Sequence, residues 1–179
     1  ICDSTLLQTV PTDQFMYTAM DCYVHCVESL RGNTNDEMTI ALAQKSLDIL
    51  DEIFSGEMNY DKLMTASILG GTAVANSNVG ICHPLSYGLS LVLGFHHGYA
   101  ICIAFNQLEE YYSEVKNFRK YLAKFNVKLP QNIMKNIHFN EIERMVQATL
   151  KNEIPFRNAF GKNWKNIFSP SKVKELFMK

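Results

Sequence analysis

Residues 12–30, TDQFMYTAMDCYVHCVESL, contain neither glycine nor proline, are preceded by Pro11 and are followed by Arg31-Gly32-Asn33. Proline just before such a run and glycine just past it are the punctuation of an α-helix, so this stretch predicts the first helix. The same grammar repeats outward from it. After Asn33-Thr34-Asn35-Asp36, apolar residues at Ile40, Ala43, Leu47, Leu50 and Phe54 fall on one face of a second helix that stops at Ser55-Gly56. Asn59 and Asp61 offer caps for a third, through Leu63, Ile68 and Leu69, which becomes rich in small residues at Gly70-Gly71-Thr72-Ala73-Val74-Ala75. From Leu108, the set Tyr111, Tyr112, Val115, Phe118, Leu122 and Phe125 again has helical spacing. Asn126 to Asn140, with Leu129-Pro130, reads as a connector before a short helix from Glu141 to Leu150, and two further short pieces follow. No segment alternates with the period of two that a half-buried strand needs, so the sequence predicts an all-α helical bundle.

The chain of 179 residues is sized for one good core, and residues 1–179 are expected to form one domain. With 47% hydrophobic and 20% charged residues, its composition excludes a disordered or fibrous protein. A net charge of −1 leaves no basic stripe for nucleic acid. Cys2, Cys22, Cys26, Cys82 and Cys102 are odd in number, scattered and set in apolar helical context, which points to reduced thiols in the cytoplasm. The uncharged segment Ser86 to Phe105 has the length of a membrane span, yet it holds Gly88, Gly94, Gly98 and the pair His96-His97. Its expected place is the interior of the bundle, with no membrane partner. The chain begins Ile-Cys-Asp, without Met or a leader, and is expected to be the interior of a longer protein.

Asp21 and His25 are four apart in the first helix, so their side chains share a face and can chelate one ion. Alone, the spacing fits more readily an aspartate that orients a histidine by a hydrogen bond. A second cluster runs Gly80-Ile81-Cys82-His83-Pro84-Leu85-Ser86-Tyr87-Gly88 and on to Phe95-His96-His97-Gly98. Imidazoles in a stretch this apolar need partners, because an unsatisfied buried polar group costs about 1–3 kcal/mol; either backbone carbonyls or a metal can supply them. Together the clusters offer one oxygen and three nitrogen donors from Asp21, His25, His83 and His97, a set that suits Fe(II), Zn(II), Co(II) or Mn(II) and excludes a thiolate finger. His96 is expected beside the site and not on the ion, since adjacent helical residues point about 100° apart. Cys22 and Cys26 turn away from the Asp21/His25 side and read as buried thiols, while Cys82 adjoins His83 as a lesser candidate ligand.

Read in order, these residues resemble the iron-containing alcohol dehydrogenase family. Its helix signature, of the form G-M-D-A-x-x-H-x-x-E, is similar to Ala19-Met20-Asp21-Cys22-Tyr23-Val24-His25-Cys26-Val27-Glu28. Its downstream signature, two ligand histidines fourteen apart ending in His-Gly, is similar to His83 and His97-Gly98, and the family's entry V-D-P-x-x-x-x-x-x-P is similar to Cys2-Asp3-Ser4 through Pro11. The resemblance runs from residue 1 to about residue 110 and departs in two places. Many members carry a further histidine four residues after the first downstream ligand, where this chain has Tyr87, and no glycine-rich phosphate loop occurs in it.

The resemblance implies the all-helical C-terminal domain of the iron-containing alcohol dehydrogenase / dehydroquinate synthase-like fold, with the family's N-terminal nucleotide-binding domain absent from this chain. It implies Fe2+, or Zn2+ or another divalent ion, on Asp21, His25, His83 and His97. It implies catalytic parts for Tyr87 and His96, and a nicotinamide cofactor, NAD(P), bound by the N-terminal domain and touched here only by Leu7 and Val10. The implied activity oxidises a primary alcohol to an aldehyde, or the reverse, in a homodimer. The finer pattern His83-Pro84-Leu85-Ser86-Tyr87-Gly88-Leu89-Ser90 looks like a branch that includes 3-deoxy-D-manno-octulosonate 8-oxidase, whose substrate is a lipopolysaccharide sugar acid; butanediol, propanediol and 4-hydroxybutyrate dehydrogenases compete with it. Helical metal phosphohydrolases also use His and Asp ligands, but they need a His-Asp dipeptide, and none occurs here. The remaining alternative is a metal-free helical interaction domain.

Overall fold

A computed structural model describes residues 2–130, 133 and 137–178, and no strand occurs among the described residues. A 3-10 turn at Ser4–Thr9 leads into α1 (Thr12–Arg31), α2 (Glu37–Ser55), α3 (Tyr60–Asn76), α4 (Cys82–Leu93), α5 (His97–Asn106), α6 (Val115–Lys124), α7 (Phe139–Leu150) and α8 (Ile154–Phe160). A 3-10 turn at Gly161–Asn163, α9 (Trp164–Ile167) and α10 (Pro170–Met178) finish the chain. The fold is all-α.

The starts of α2 and α3 follow from side-chain caps. Asp36 accepts a hydrogen bond from Thr39 N at 2.8 Å and Asn59 from Lys62 N at 2.9 Å, satisfying backbone donors that the first turn of a helix leaves open. Asp61, the other expected cap, lies inside the first turn of α3 and instead accepts from the Ser4 hydroxyl, which ties the opening 3-10 turn to α3. The uncharged segment 86–105 divides at Gly94, whose φ of 74° lies in the left-handed region that glycine enters without strain. That break ends α4 and lets the chain turn into α5. Among the described residues, no helix is long and apolar enough to cross a membrane.

α1 is the central element and packs against α2, α3 and α5, while α4 lies between α5 and α7. Phe15, Met16, Ala19, Met20, Tyr23, Val24 and Val27 of α1 are buried in one core with Leu50, Ile53, Phe54, Phe105 and Phe118. At about 25 cal/mol per Å² of apolar surface removed from water, such burial is the main favourable contribution to folding. In the C-terminal part, Phe156 stacks on Trp164 at 4.7 Å between ring centres and Phe168 packs on Phe156 at 5.3 Å. Between Ala19 and Ser29 of α1, only Asp21 and His25 are half-buried, while Cys22 to Val24 and Cys26 to Ser29 are buried.

Two expectations about boundaries are corrected. The helix anticipated from Leu108 begins at Val115. Residues before it form turns, with Tyr111 N and Tyr112 N both donating to Leu108 O and Val115 N to Tyr112 O, because Tyr112 is turned inward to a buried partner and Arg31 holds Ser113 and Glu114 from α1. The helix anticipated from Glu141 starts at Phe139, because the Glu141 carboxylate reaches back to accept from His138 N at 2.9 Å. Of the connector Asn126 to Asn140, residues 131, 132 and 134–136 lie outside the described residues.

Candidate metal centre

α1 supplies Asp21 and His25 one turn apart, α4 supplies His83 from its first turn, and α5 supplies His97 as its first residue. Because α5 packs on both α1 and α4, the three helices bring these side chains to one place. His83 Nε2 lies 3.5 Å from Asp21 Oδ1, His97 Nε2 3.4 Å from Asp21 Oδ2, and His25 Nε2 3.8 Å from Asp21 Oδ1. The imidazole of His25 stacks on that of His83 at 4.5 Å between ring centres and 13° between planes. Donor atoms of Asp21, His83 and His97 all lie within 4.8 Å of one another. His25 stands beside that trio as its nearest further imidazole.

Two atoms in this cluster are conspicuous. Asp21 Oδ1 and His83 Nε2 are both buried, stand 3.5 Å apart, and neither has a hydrogen-bond partner. Leaving a buried polar atom unsatisfied costs about 1–3 kcal/mol, and a divalent cation between the carboxylate and the imidazoles would satisfy both. The oxygen-and-nitrogen donor set fits Fe(II), Zn(II) or a similar ion.

The electrostatics are those of a cluster under tension. Burial pushes the Asp21 carboxyl up, but contact with His83 and the charges of His25, His83 and His97 reverse this and leave it below the ordinary carboxylate value. His25 is lowered to about 4 by burial and by His83. Burial also pulls His83 down, yet Glu28 and Asp21 override it and hold the imidazole at about 9. A proton therefore settles on His83 when nothing else neutralises the two carboxylates.

The other expected residues take distinct places. Tyr87, one turn beyond His83 on α4, is half-buried with its ring 6.5 Å from that of His97, and burial raises its phenol. His96 caps α5 through its backbone, with its carbonyl accepting from Ala100 N at 2.9 Å; its side chain is exposed and it is not among the grouped donors. Leu7 and Val10 are half-buried and pack on the core from the opening 3-10 turn, which lies on α3. The Cys82 thiol donates to Ile101 O at 3.6 Å, toward α5, and Cys22 faces Ser46 and Ala66 on α2 and α3.

The sequence names Glu28 only as the close of the helix signature and Tyr112 only as an apolar helical position, and assigns neither a part in the site. Glu28 is only 1% exposed and lies 2.5 Å from His83 Nδ1. A signal was available, since a carboxylate on the buried face of α1 must have a partner.

The family model described as Fe-containing alcohol dehydrogenase family, C-terminal, matches residues 15–149. 1-Propanol dehydrogenase PduQ of Citrobacter freundii is 26% identical over 132 residues, which cover 70% of this chain and 36% of that protein. Among solved structures, the iron-containing alcohol dehydrogenase of Thermotoga maritima superposes with a TM-score of 0.76 at 20% identity, covering 98% of this chain and 51% of the other. The sulfoacetaldehyde reductase of Bifidobacterium kashiwanohense, solved in complex with NAD+, gives 0.75 at 14% identity, covering 98% and 52%. These structural likenesses are likenesses of fold, and the chain spans about half the length of the solved relatives and about a third of the curated one.

Proposed function

The chain belongs to the Fe-containing alcohol dehydrogenase family, and from that premise we propose that it is the metal-holding and alcohol-holding half of an oxidoreductase that interconverts a primary alcohol and an aldehyde. The observation that carries the proposal is the trio Asp21, His83 and His97, with donor atoms within 4.8 Å of one another and two of those atoms buried without partners. Asp21, His83 and His97, joined by His25, would hold one divalent ion. Such an ion supplies Lewis-acid chemistry, lowering the pKa of an alcohol and stabilising negative charge on its oxygen.

The chain's own residues do the rest of the work on this side of the cleft. With its single carboxylate, Asp21 would offset only one charge of a divalent ion and leave the site attractive to negative charge on a substrate oxygen. The Tyr87 phenol, raised by burial and therefore protonated at neutral pH, is a hydrogen-bond donor beside His97. His96, exposed just before α5, is proposed to reach the substrate side of the cleft. An oxidised nicotinamide, NAD(P)+, would supply the acceptor for the hydride of the alcohol carbon, and the hydroxyl proton would leave to solvent. Leu7 and Val10 are proposed to border the nicotinamide, which an N-terminal nucleotide-binding domain of a parent polypeptide would hold. A cytoplasmic homodimer belongs to the same reading. Within it, a C8 sugar-acid substrate of the 3-deoxy-D-manno-octulosonate kind is the finer proposal, and small alcohols or diols are its rivals; PduQ is a 1-propanol dehydrogenase.

The test is metal binding by neighbouring variants. Equilibrium dialysis against Fe(II) and Zn(II) should find one tight site per chain, lost in His97→Ala and Asp21→Ala and kept in His96→Ala. His96 and His97 are adjacent and both exposed, so a difference between them reports ligation and not folding. Equal binding by all variants would dispose of the centre.

A further inference from the structure

We propose that Glu28 is the positioning residue of this centre, fixing His83 through Nδ1 so that Nε2 is the atom presented to the ion; the inference rests on the metal reading above. Glu28 Oε2 lies 2.5 Å from His83 Nδ1. Its other oxygen, Oε1, accepts from Cys82 N at 2.6 Å and from the Tyr112 hydroxyl at 3.4 Å. The Tyr112 oxygen in turn accepts from Ile81 N at 3.4 Å. The carboxylate therefore grips both the ring of His83 and the backbone immediately before it.

A buried carboxylate is an expensive way to hold two helices together, because its desolvation rivals the attraction it gains. Its geometry explains why it is retained. An Nδ1–H donated to a carboxylate leaves the Nε2 lone pair free, fixes the ring plane and makes the imidazole a better donor, as supporting partners of metal-bound histidines do. Nε2 of His83 is the buried atom without a partner on the Asp21 side. The backbone accommodates the arrangement at one point: a Cβ on Gly80 would meet the Tyr112 hydroxyl at 2.5 Å and Glu28 Oε1 at 2.9 Å. Glycine there lets the carboxylate and phenol close over the start of α4.

The experiment uses the whole chain with Co(II) as the probe, read by competition with a chelating dye and by the visible d–d spectrum. Glu28→Gln keeps the shape but offers one acceptor oxygen to three donors, His83 Nδ1–H, Cys82 N–H and the Tyr112 hydroxyl. It should weaken Co(II) binding about 10- to 100-fold and shift the d–d bands, while circular dichroism of the metal-free chain stays helical. A folded Glu28→Gln chain with wild-type affinity and an identical spectrum overturns the role of Glu28 and leaves the metal reading standing. A wild-type chain that takes up no Co(II) overturns both. A second measurement does not depend on the variant folding: in the Zn(II)-loaded wild-type chain, long-range 1H–15N spectra should show His83 protonated at Nδ1 and metal-bound at Nε2. The opposite tautomer overturns the proposal.

Discussion

His83 and His97 both face Asp21, but their surroundings differ enough to separate their effects on stability. The side chain of His83 is 3% exposed and its other nitrogen meets the buried Glu28, whereas that of His97 is 48% exposed. Removing the His83 imidazole strands a carboxylate in the core, a change that typically costs about 3–5 kcal/mol. Removing the His97 imidazole exposes Asp21 further to water and should cost within about 0.5 kcal/mol. Urea unfolding of the metal-free chain should therefore place the His83→Ala midpoint far below wild type and that of His97→Ala close to it. Midpoints that fall together would mean that Glu28 has another way to satisfy its charge. At this scale the sequence was readable where spacing carries the information: Asp21 with His25 on one helix face, and the pair His83 and His97-Gly98. What could not be read was which groups Glu28 meets, because Cys82 and Tyr112 lie 54 and 84 residues away and no local pattern announces them.

Between elements, the approach to α4 is set by a clasp that uses one side chain. Asn158, in α8 and buried, accepts from Thr34 N at 3.0 Å and from the Thr34 hydroxyl at 2.8 Å, and donates to Asn78 O at 2.8 Å and Val79 O at 3.2 Å. Its amide thus binds the turn between α1 and α2 to the turn between α3 and α4, just upstream of Gly80 and His83. Asn158→Ala leaves these backbone groups without partners and should destabilise the chain by roughly 1–3 kcal/mol, measured by urea denaturation. Asn158→Asp, which turns a buried carboxylate toward Asn78 O and Val79 O, should cost at least as much as Ala; a neutral Ala variant would mean that water replaces the clasp. The elements themselves were largely legible. Uninterrupted apolar periodicity gave α1 to α3, whose ends carry proline, glycine, asparagine or aspartate. What escaped was imposed by distant contacts: α6 starts late because Tyr112 turns inward to Glu28 and Arg31 pairs with Glu114 at 2.6 Å.

For the molecule as a whole, the decisive fact is how the proposed centre opens. Its donors come from α1, α4 and α5, and His97 stands half in solvent at the rim, so on this chain the site is a face and not an enclosed cavity. Hydride transfer requires the donor carbon and the acceptor to be held at about 3–3.5 Å, with orientation supplying several kcal/mol of the barrier reduction. Exclusion of water strengthens each electrostatic contact in such a site. Neither condition is met by one face alone, and these 179 residues contain no glycine-rich phosphate loop to anchor a dinucleotide opposite it. Assayed by itself with a primary alcohol and NAD(P)+, the 179-residue polypeptide should therefore bind one divalent ion per chain yet yield no reduced nicotinamide, read as absorbance at 340 nm. The same residues joined to a nucleotide-binding domain of the family should turn over. In that longer protein His97→Ala should abolish turnover with little change in nicotinamide binding, since the ligand acts on the substrate oxygen, and Tyr87→Phe should be milder because it removes one hydrogen bond. Turnover by the 179 residues alone would refute the division of labour, because both reaction partners would then have to be held on this side of the cleft.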